Sequence, residues 1–197
     1  SASKKGHKRN PHKDTKGEPQ PIKELTDQQK KALDPLKEAV HKNKHEIFLL
    51  HGITGSGKTE IYMQIIQNCI ALGKTAIMLV PEISLTKQII ERFIGRFGNG
   101  NIAVLHSRLS PGERFDEWQR IRKGEVRIVI GARSAVFAPV VDIGAIIMDE
   151  EHEDTYKSDM TPKYDTLEIA IKRSAYYGGP VILGSATPSV VSYYRSE

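Results

Sequence analysis

Gly52-Ile53-Thr54-Gly55-Ser56-Gly57-Lys58-Thr59 is the stretch that decides the fold. It matches the phosphate-binding pattern G-x-x-x-x-G-K followed by Ser or Thr. Its glycines let the backbone curl until several N–H groups converge on phosphate oxygens. In such a loop Lys58 reaches the β- and γ-phosphates of a nucleoside triphosphate, and the Thr59 hydroxyl is placed to hold Mg²⁺. A helix that follows points its positive N-terminal end at the same anion. The flanks agree. Ile47-Phe48-Leu49-Leu50 is a short apolar run suited to a buried parallel strand, and Ile61, Ile65, Ile66 and Cys69 recur at helical spacing.

Outward from this loop the chain alternates. Thr26 predicts an N-cap for a helix over about 27–42, with Pro35 as a break. Strands are predicted at 47–50, 75–80, 102–105, 126–130, 145–148 and 181–183. Helices are predicted from the loop to Gly73 and over 85–97, 111–123 and 166–177. Strands alternating with helices imply an α/β domain with a mostly parallel sheet and helices on both faces. Ligands of such sheets bind beyond the carboxyl ends of the strands. The polar clusters fall there: Gly52–Thr59, Pro81–Thr86, His106–Ser107, Gly131–Ser134, Asp149–His152 and Gly184–Thr187 each follow a strand.

The chain has 197 residues, 39% hydrophobic and 27% charged, enough for one good-sized core. Its single cysteine excludes a disulfide framework, and Cys69 is predicted to be a small core residue. No apolar run approaches the ~18 residues that span a bilayer, and no signal peptide is evident, so the expected setting is cytoplasmic, away from membranes. Net charge is +5, which suits a polyanionic partner. Much of that excess lies in residues 1–21, which are polar and without periodicity. They are expected to form a flexible basic linker ahead of a single domain at 22–197.

A second half of a nucleotide site is visible further on. Ile146-Ile147-Met148 is an apolar run that delivers Asp149, a carboxylate suited to the Mg²⁺ shell alongside Thr59. Glu150, one residue on, is placed to orient and deprotonate an attacking water. His152 has no second metal ligand nearby in sequence. It is expected to bridge the acidic cluster to Gly184-Ser185-Ala186-Thr187, whose small residues suit a hinge that senses the γ-phosphate.

G-I-T-G-S-G-K-T, D-E-E-H (Asp149–His152) and G-S-A-T (Gly184–Thr187), in that order, resemble motifs I, II and III of superfamily 2 helicases. The likeness extends to L-V-P-E-I-S-L-T (Leu79–Thr86), V-L-H-S (Val104–Ser107), I-G-A-R-S-A-V-F-A-P (Ile130–Pro139) and I-L-G-S-A-T-P-S (Ile182–Ser189). With L-T-D-Q-Q (Leu25–Gln29), these strings resemble the primosomal family of bacterial replication-restart DNA helicases from Leu25 to the C-terminus. The resemblance implies a RecA-like P-loop NTPase domain, the first of two helicase lobes, using ATP and Mg²⁺. It implies that Gln29 contacts adenine. It also implies that Pro81, Glu82, Thr86, His106, Ser107, Arg133 and Ser134 face DNA. Residues 153–163 correspond to the family's aromatic-rich loop, in which Tyr156 would stack on a base and Lys157 would meet a phosphate.

One departure stands out: after Tyr164 the family commonly carries His-Ala-Arg, and here Asp165-Thr166-Leu167 follow. The family's 3′-DNA-end-binding domain, cysteine-rich zinc module and second lobe are not evident in this stretch, so it is expected to hold no zinc and to turn ATP over very slowly alone. Partners implied by the family are single-stranded and forked DNA, the second lobe, primosome proteins and single-strand-binding protein. Three rivals were weighed. A RecG-like or restriction-type translocase fits the extended strings less well. A small-molecule kinase would need an acceptor pocket and a lid. A non-enzymatic DNA-binding module leaves the nucleotide motifs without a use.

Overall fold

The computed structural model describes residues 15, 17–52, 57–150, 156–158 and 164–185. Its centre is a six-stranded sheet in which every pairing is parallel. In chain order the strands are β1 (Ile47–His51), β2 (Thr75–Leu79), β3 (Ile102–Leu105), β4 (Ile128–Gly131), β5 (Ile143–Asp149) and, after a short ladder, β8 (Val181–Ser185). Across the sheet they lie β1-β8-β5-β2-β4-β3. The strands from β2 to β4 and β8 are buried throughout, as apolar runs covered on both faces must be. A separate two-stranded antiparallel ladder joins β6 (Lys157–Ser158) to β7 (Tyr164–Asp165).

Two hydrophobic layers cover the sheet. On one face lie α1 (Asp27–His41), α2 (Lys58–Ala71) and α3 (Lys87–Phe97), which contribute Leu33, Leu36, Ile61, Ile65, Ile66 and Phe93 to one core. The other face is covered by α4 (Pro111–Arg122), α5 (Thr166–Tyr177) and a 3-10 turn at Arg133–Phe137, with Ile121, Ala135, Val136 and Ala170 inside. α2 is buried nearly all round because it runs against both the sheet and α1. Cys69 lies fully buried in it, and burial pushes its thiol up to about 12.

Helix starts follow local chemistry. Thr26 accepts from the Gln29 N–H while the Gln29 side chain accepts from the Thr26 N–H, a reciprocal capping box. Ser110 and Glu113 repeat that arrangement at α4. Pro35 does not break α1, contrary to expectation; the helix runs through it. Leu36, Ala39 and Val40 beyond the proline are buried against the core, and that burial outweighs the hydrogen bond the ring removes.

Part of the stretch expected as flexible linker packs on the domain. Residues 17–21 lie along α3: the Gln20 N–H donates to the Gly95 carbonyl, and the Arg96 guanidinium donates to the carbonyls of Gln20 and Pro21 at 3.3 and 2.7 Å. Arg96 also pairs with Glu60 at 3.1 Å, both side chains almost wholly buried. One arginine therefore ties the approach segment to the loop-following helix. That tie depends on a partner 75 residues away, so composition alone made the segment look like linker. The linker expectation for residues 1–14 and 16 lies outside the described residues.

α4 is fastened to β3 by Glu117. Its carboxylate accepts from Arg120 at 2.7 Å and from the Val104 N–H at 3.2 Å, all buried. Burial raises its carboxyl above the usual range, against the pull of Arg120. Glu117→Ala strands a buried guanidinium and an unsatisfied N–H. A loss of about 3–5 kcal/mol in urea unfolding is the expected outcome.

Candidate nucleotide and nucleic-acid site

Parallel register brings the ends of three strands together. Gly184 of β8 lies beside Leu50 of β1 on one side and Asp149 of β5 on the other. Gly52, which opens the phosphate-binding stretch, donates its N–H to the Ser185 carbonyl at 3.1 Å. The three nucleotide motifs are thus adjacent at one sheet edge, although they are far apart in sequence. Of the residues predicted there, Ile53, Thr54, Gly55, Ser56, His152, Ala186 and Thr187 lie outside the described residues.

Lys58 and Thr59 begin α2, directly after Gly57. Gly57 has φ +87°, in the left-handed region that favours glycine, and the Gln29 amide nitrogen packs 2.3 Å from where a Cβ would stand. Gln29 is therefore seated against Gly57, with its carbonyl oxygen already engaged by Thr26. The Lys58 ammonium donates to the Gly52 carbonyl.

Asp149 ends β5 and is half-buried. Burial raises its carboxyl above the usual range; the Tyr62 hydrogen bond opposes this, Glu150 adds to it and the Lys58 charge opposes it. The hydroxyl of Tyr62, on α2, donates to Asp149 Oδ1 at 2.8 Å. Glu150 has φ +52°, a left-handed conformation uncommon for a side-chain-bearing residue, and its Oε2 accepts from the Ser84 hydroxyl at 3.1 Å. Thr59 carries a hydroxyl and Asp149 a carboxylate, oxygen ligands of the type that a hard divalent cation takes.

Ser84 lies in the 3-10 turn Glu82–Ser84 that follows β2. The sequence places Ser84 within the DNA-facing string Leu79–Thr86, but nothing local marks its contact with Glu150, 66 residues away. The turn reaches sideways as well: Glu82 accepts from the Ser107 N–H and hydroxyl at 3.0 and 2.7 Å. Glu82, His106, Ser107, Arg133 and Ser134 line one cavity of about 350 Å³, together with Arg114, Trp118 and Tyr164. Burial and the Arg108 charge hold the His106 imidazole below its ordinary value. Thr86 is exposed and caps α3, accepting from the Ile89 N–H. Of the nine residues expected to face DNA, seven reach the surface, five of them at this cavity.

Two do not. Pro81 is buried at the strand end. Tyr156 is only 4% exposed; its ring sits in the second core and its hydroxyl donates to the Asp149 carbonyl at 2.6 Å. That placement leaves no ring face for a base. Lys157 is exposed, and its carbonyl accepts from Arg133 at 2.7 Å. The departure after Tyr164 has a local use: Asp165 caps α5 through the Leu167 N–H at 2.8 Å, and the Thr166 hydroxyl donates to the Tyr156 carbonyl at 2.6 Å.

Comparison with known proteins agrees with this geometry. Residues 22–190 match the ResIII family, described as "Type III restriction enzyme, res subunit". The chain is 54% identical over 192 residues to replication restart protein PriA of Bacillus subtilis, covering 96% of this chain and 23% of that protein. It is 44% identical over 170 residues to PriA of Chlamydia muridarum, covering 86% of this chain and 22% of the relative. The chain thus spans under a quarter of the length of these curated relatives. Among solved structures, RecG bound to a three-way DNA junction superposes with TM-score 0.64 at 24% identity, over 93% of this chain and 25% of that one. The UvsW helicase of bacteriophage T4 superposes with TM-score 0.61 at 15% identity, over 92% and 61%. These structural likenesses establish the RecA-like fold.

The Glu82–Ser107 contact has a titration signature. Burial raises the Glu82 carboxyl, but the two Ser107 hydrogen bonds and the charges of His106 and Arg108 bring it below the usual range. A depressed folded-state value means the contact stabilises above the unfolded carboxyl value and is lost as pH falls through the folded one. Ser107→Ala should move the Glu82 carboxyl upward in a carbon-detected NMR titration. No movement would show that the hydroxyl does not hold it.

Proposed function

Because this chain belongs to the ResIII family and carries the first RecA-like helicase lobe of the PriA type, we propose that the intact protein is an ATP-dependent DNA helicase that restarts stalled replication forks. The observation that supports this best is the meeting at one sheet edge of Gly52, Lys58, Asp149 and Gly184, with the Ser84–Glu150 hydrogen bond leading from it toward the cavity lined by Glu82 and Ser107.

In this reading the backbone of Gly52–Thr59 cradles the phosphates, and Lys58 exchanges the Gly52 carbonyl for phosphate oxygens. Thr59 and Asp149 hold Mg²⁺, which when bound neutralises charge on the β- and γ-phosphates. Glu150 orients the attacking water, and its hydrogen bond to Ser84 makes the DNA-facing turn sensitive to that carboxylate. Gln29 reaches adenine from its seat on Gly57. His152 and Gly184–Thr187 relay nucleotide state. Glu82, Thr86, His106, Ser107, Arg133, Ser134 and Lys157 meet a single strand by phosphate contacts, so binding is salt-dependent and weak in sequence preference. Tyr156 acts by tethering the Asp149 carbonyl to the β6–β7 ladder rather than by stacking. The remaining partners are forked DNA, a second lobe, primosome proteins and single-strand-binding protein, met in the bacterial cytoplasm at the nucleoid.

DNA-stimulated ATP hydrolysis by the intact protein, with unwinding of a fork, is the test. Hydrolysis indifferent to DNA, or phosphate transfer to a small molecule, would overturn the reading. The RecG neighbour favours no different function, because at 24% identity it speaks for fold alone.

Two results are expected of variants. Lys58→Ala abolishes phosphate-dependent binding of ADP and ATP in calorimetry. The isolated 197-residue chain binds Mg²⁺-nucleotide yet hydrolyses it slower than the intact protein by a factor on the order of 10³–10⁵, because a second lobe supplies the cationic group that stabilises the transition state. A brisk single-lobe ATPase in a coupled assay would contradict this.

A further inference from the structure

Tyr62 is fully buried on α2, three residues past Thr59, and its hydroxyl reaches Asp149 Oδ1 at 2.8 Å. Gly184 lies directly beneath that contact. A Cβ at Gly184 would stand 1.6 Å from the Tyr62 oxygen and 2.9 Å from Asp149 Oδ1. The backbone of Gly184 is not in the positive-φ region, so no conformational demand explains a glycine there. The hydroxyl does: the hydrogen bond crosses a strand position that no side chain can share with it.

We propose that Tyr62 is a positioning residue for Asp149, and that Gly184 lacks a side chain in order to admit it. The phenol holds Oδ1 and thereby fixes the rotamer of a carboxylate that ends a strand, leaving Oδ2 for the Mg²⁺ shell. This rests on the reading of Asp149 as a Mg²⁺-holding group. It assigns Gly184 a part beyond a hinge: with Tyr62 it links the start of α2, β5 and β8 at the nucleotide edge. Outer-shell partners of this kind change metal affinity about 10–100-fold when removed.

Tyr62→Phe in the intact protein keeps the ring in the core and deletes the donor. Binding of a fluorescent ADP is measured in EDTA and across a Mg²⁺ titration, beside a thermal melt. The expected result is unchanged affinity in EDTA and a Mg²⁺ half-saturation raised about 10-fold. Gly184→Ala, which displaces the hydroxyl with Tyr62 retained, should give the same shift. The double variant Tyr62→Phe/Gly184→Ala should be no worse than Gly184→Ala alone. A folded Tyr62→Phe protein with an unmoved Mg²⁺ curve overturns the inference, as do losses that add in the double variant. Asp149→Asn separates the two claims. If it shifts the Mg²⁺ curve and Tyr62→Phe does not, only the positioning role fails; if it leaves the curve unmoved, the Mg²⁺ reading fails and the inference with it.

Discussion

The parallel pairing of β8 between β1 and β5 is the constraint on which the nucleotide edge depends. It sets Gly184 level with both Leu50 and Asp149, so the loop after β1 and the carboxylate at the end of β5 emerge at one height. A slip of one residue would turn every side chain on β8 to the opposite face. It would also remove the glycine from beneath the Tyr62–Asp149 contact. The buried sheet resists such a slip, because both faces of β8 are covered by apolar layers.

From that edge, polar connections run outward by short steps. Glu150 is joined to Ser84, whose turn also carries Glu82, and Glu82 is joined to Ser107. On the other side Asp149 is joined through its carbonyl to Tyr156, and the next residue's carbonyl to Arg133. Both paths end in side chains that line the cavity expected to meet DNA. The Glu150 and Tyr156 steps are partly buried, and the Ser107 and Arg133 steps lie at the exposed surface. Arg173 supports this arrangement by donating to the carbonyls of Val136 and Val140, which fastens α5 to the turn that bears Arg133.

The buried charges serve the same end in different ways. Arg96 ties Glu60, at the start of α2, to the carbonyls of Gln20 and Pro21. Glu117 and Arg120 fix α4 beside β3. A buried ion pair is a weak source of net stability but is costly to break. Both pairs hold helices at fixed heights against the sheet.

What the sequence by itself determined is local and periodic. Glycine spacing around Lys58, apolar runs of strand length and helical spacing in α2 sufficed for an α/β parallel fold. They also located Lys58 and Thr59 at a helix start and Asp149 and Glu150 at a strand end, because each signal is written within a few consecutive residues. Only the tertiary structure decided the rest. A tyrosine in the buried helix α2 reads like any core aromatic, so the hydroxyl contact of Tyr62 with Asp149, 87 residues away, left no trace in the pattern. The burial of Tyr156, the seat of residues 17–21 on α3 and the Ser84–Glu150 bond were equally unmarked, and Pro35 looked like a helix break. Strand order was unmarked too. It is set by crossovers that insert β8 and β5 between β1 and β2, and a crossover connects residues whose proximity no local periodicity encodes.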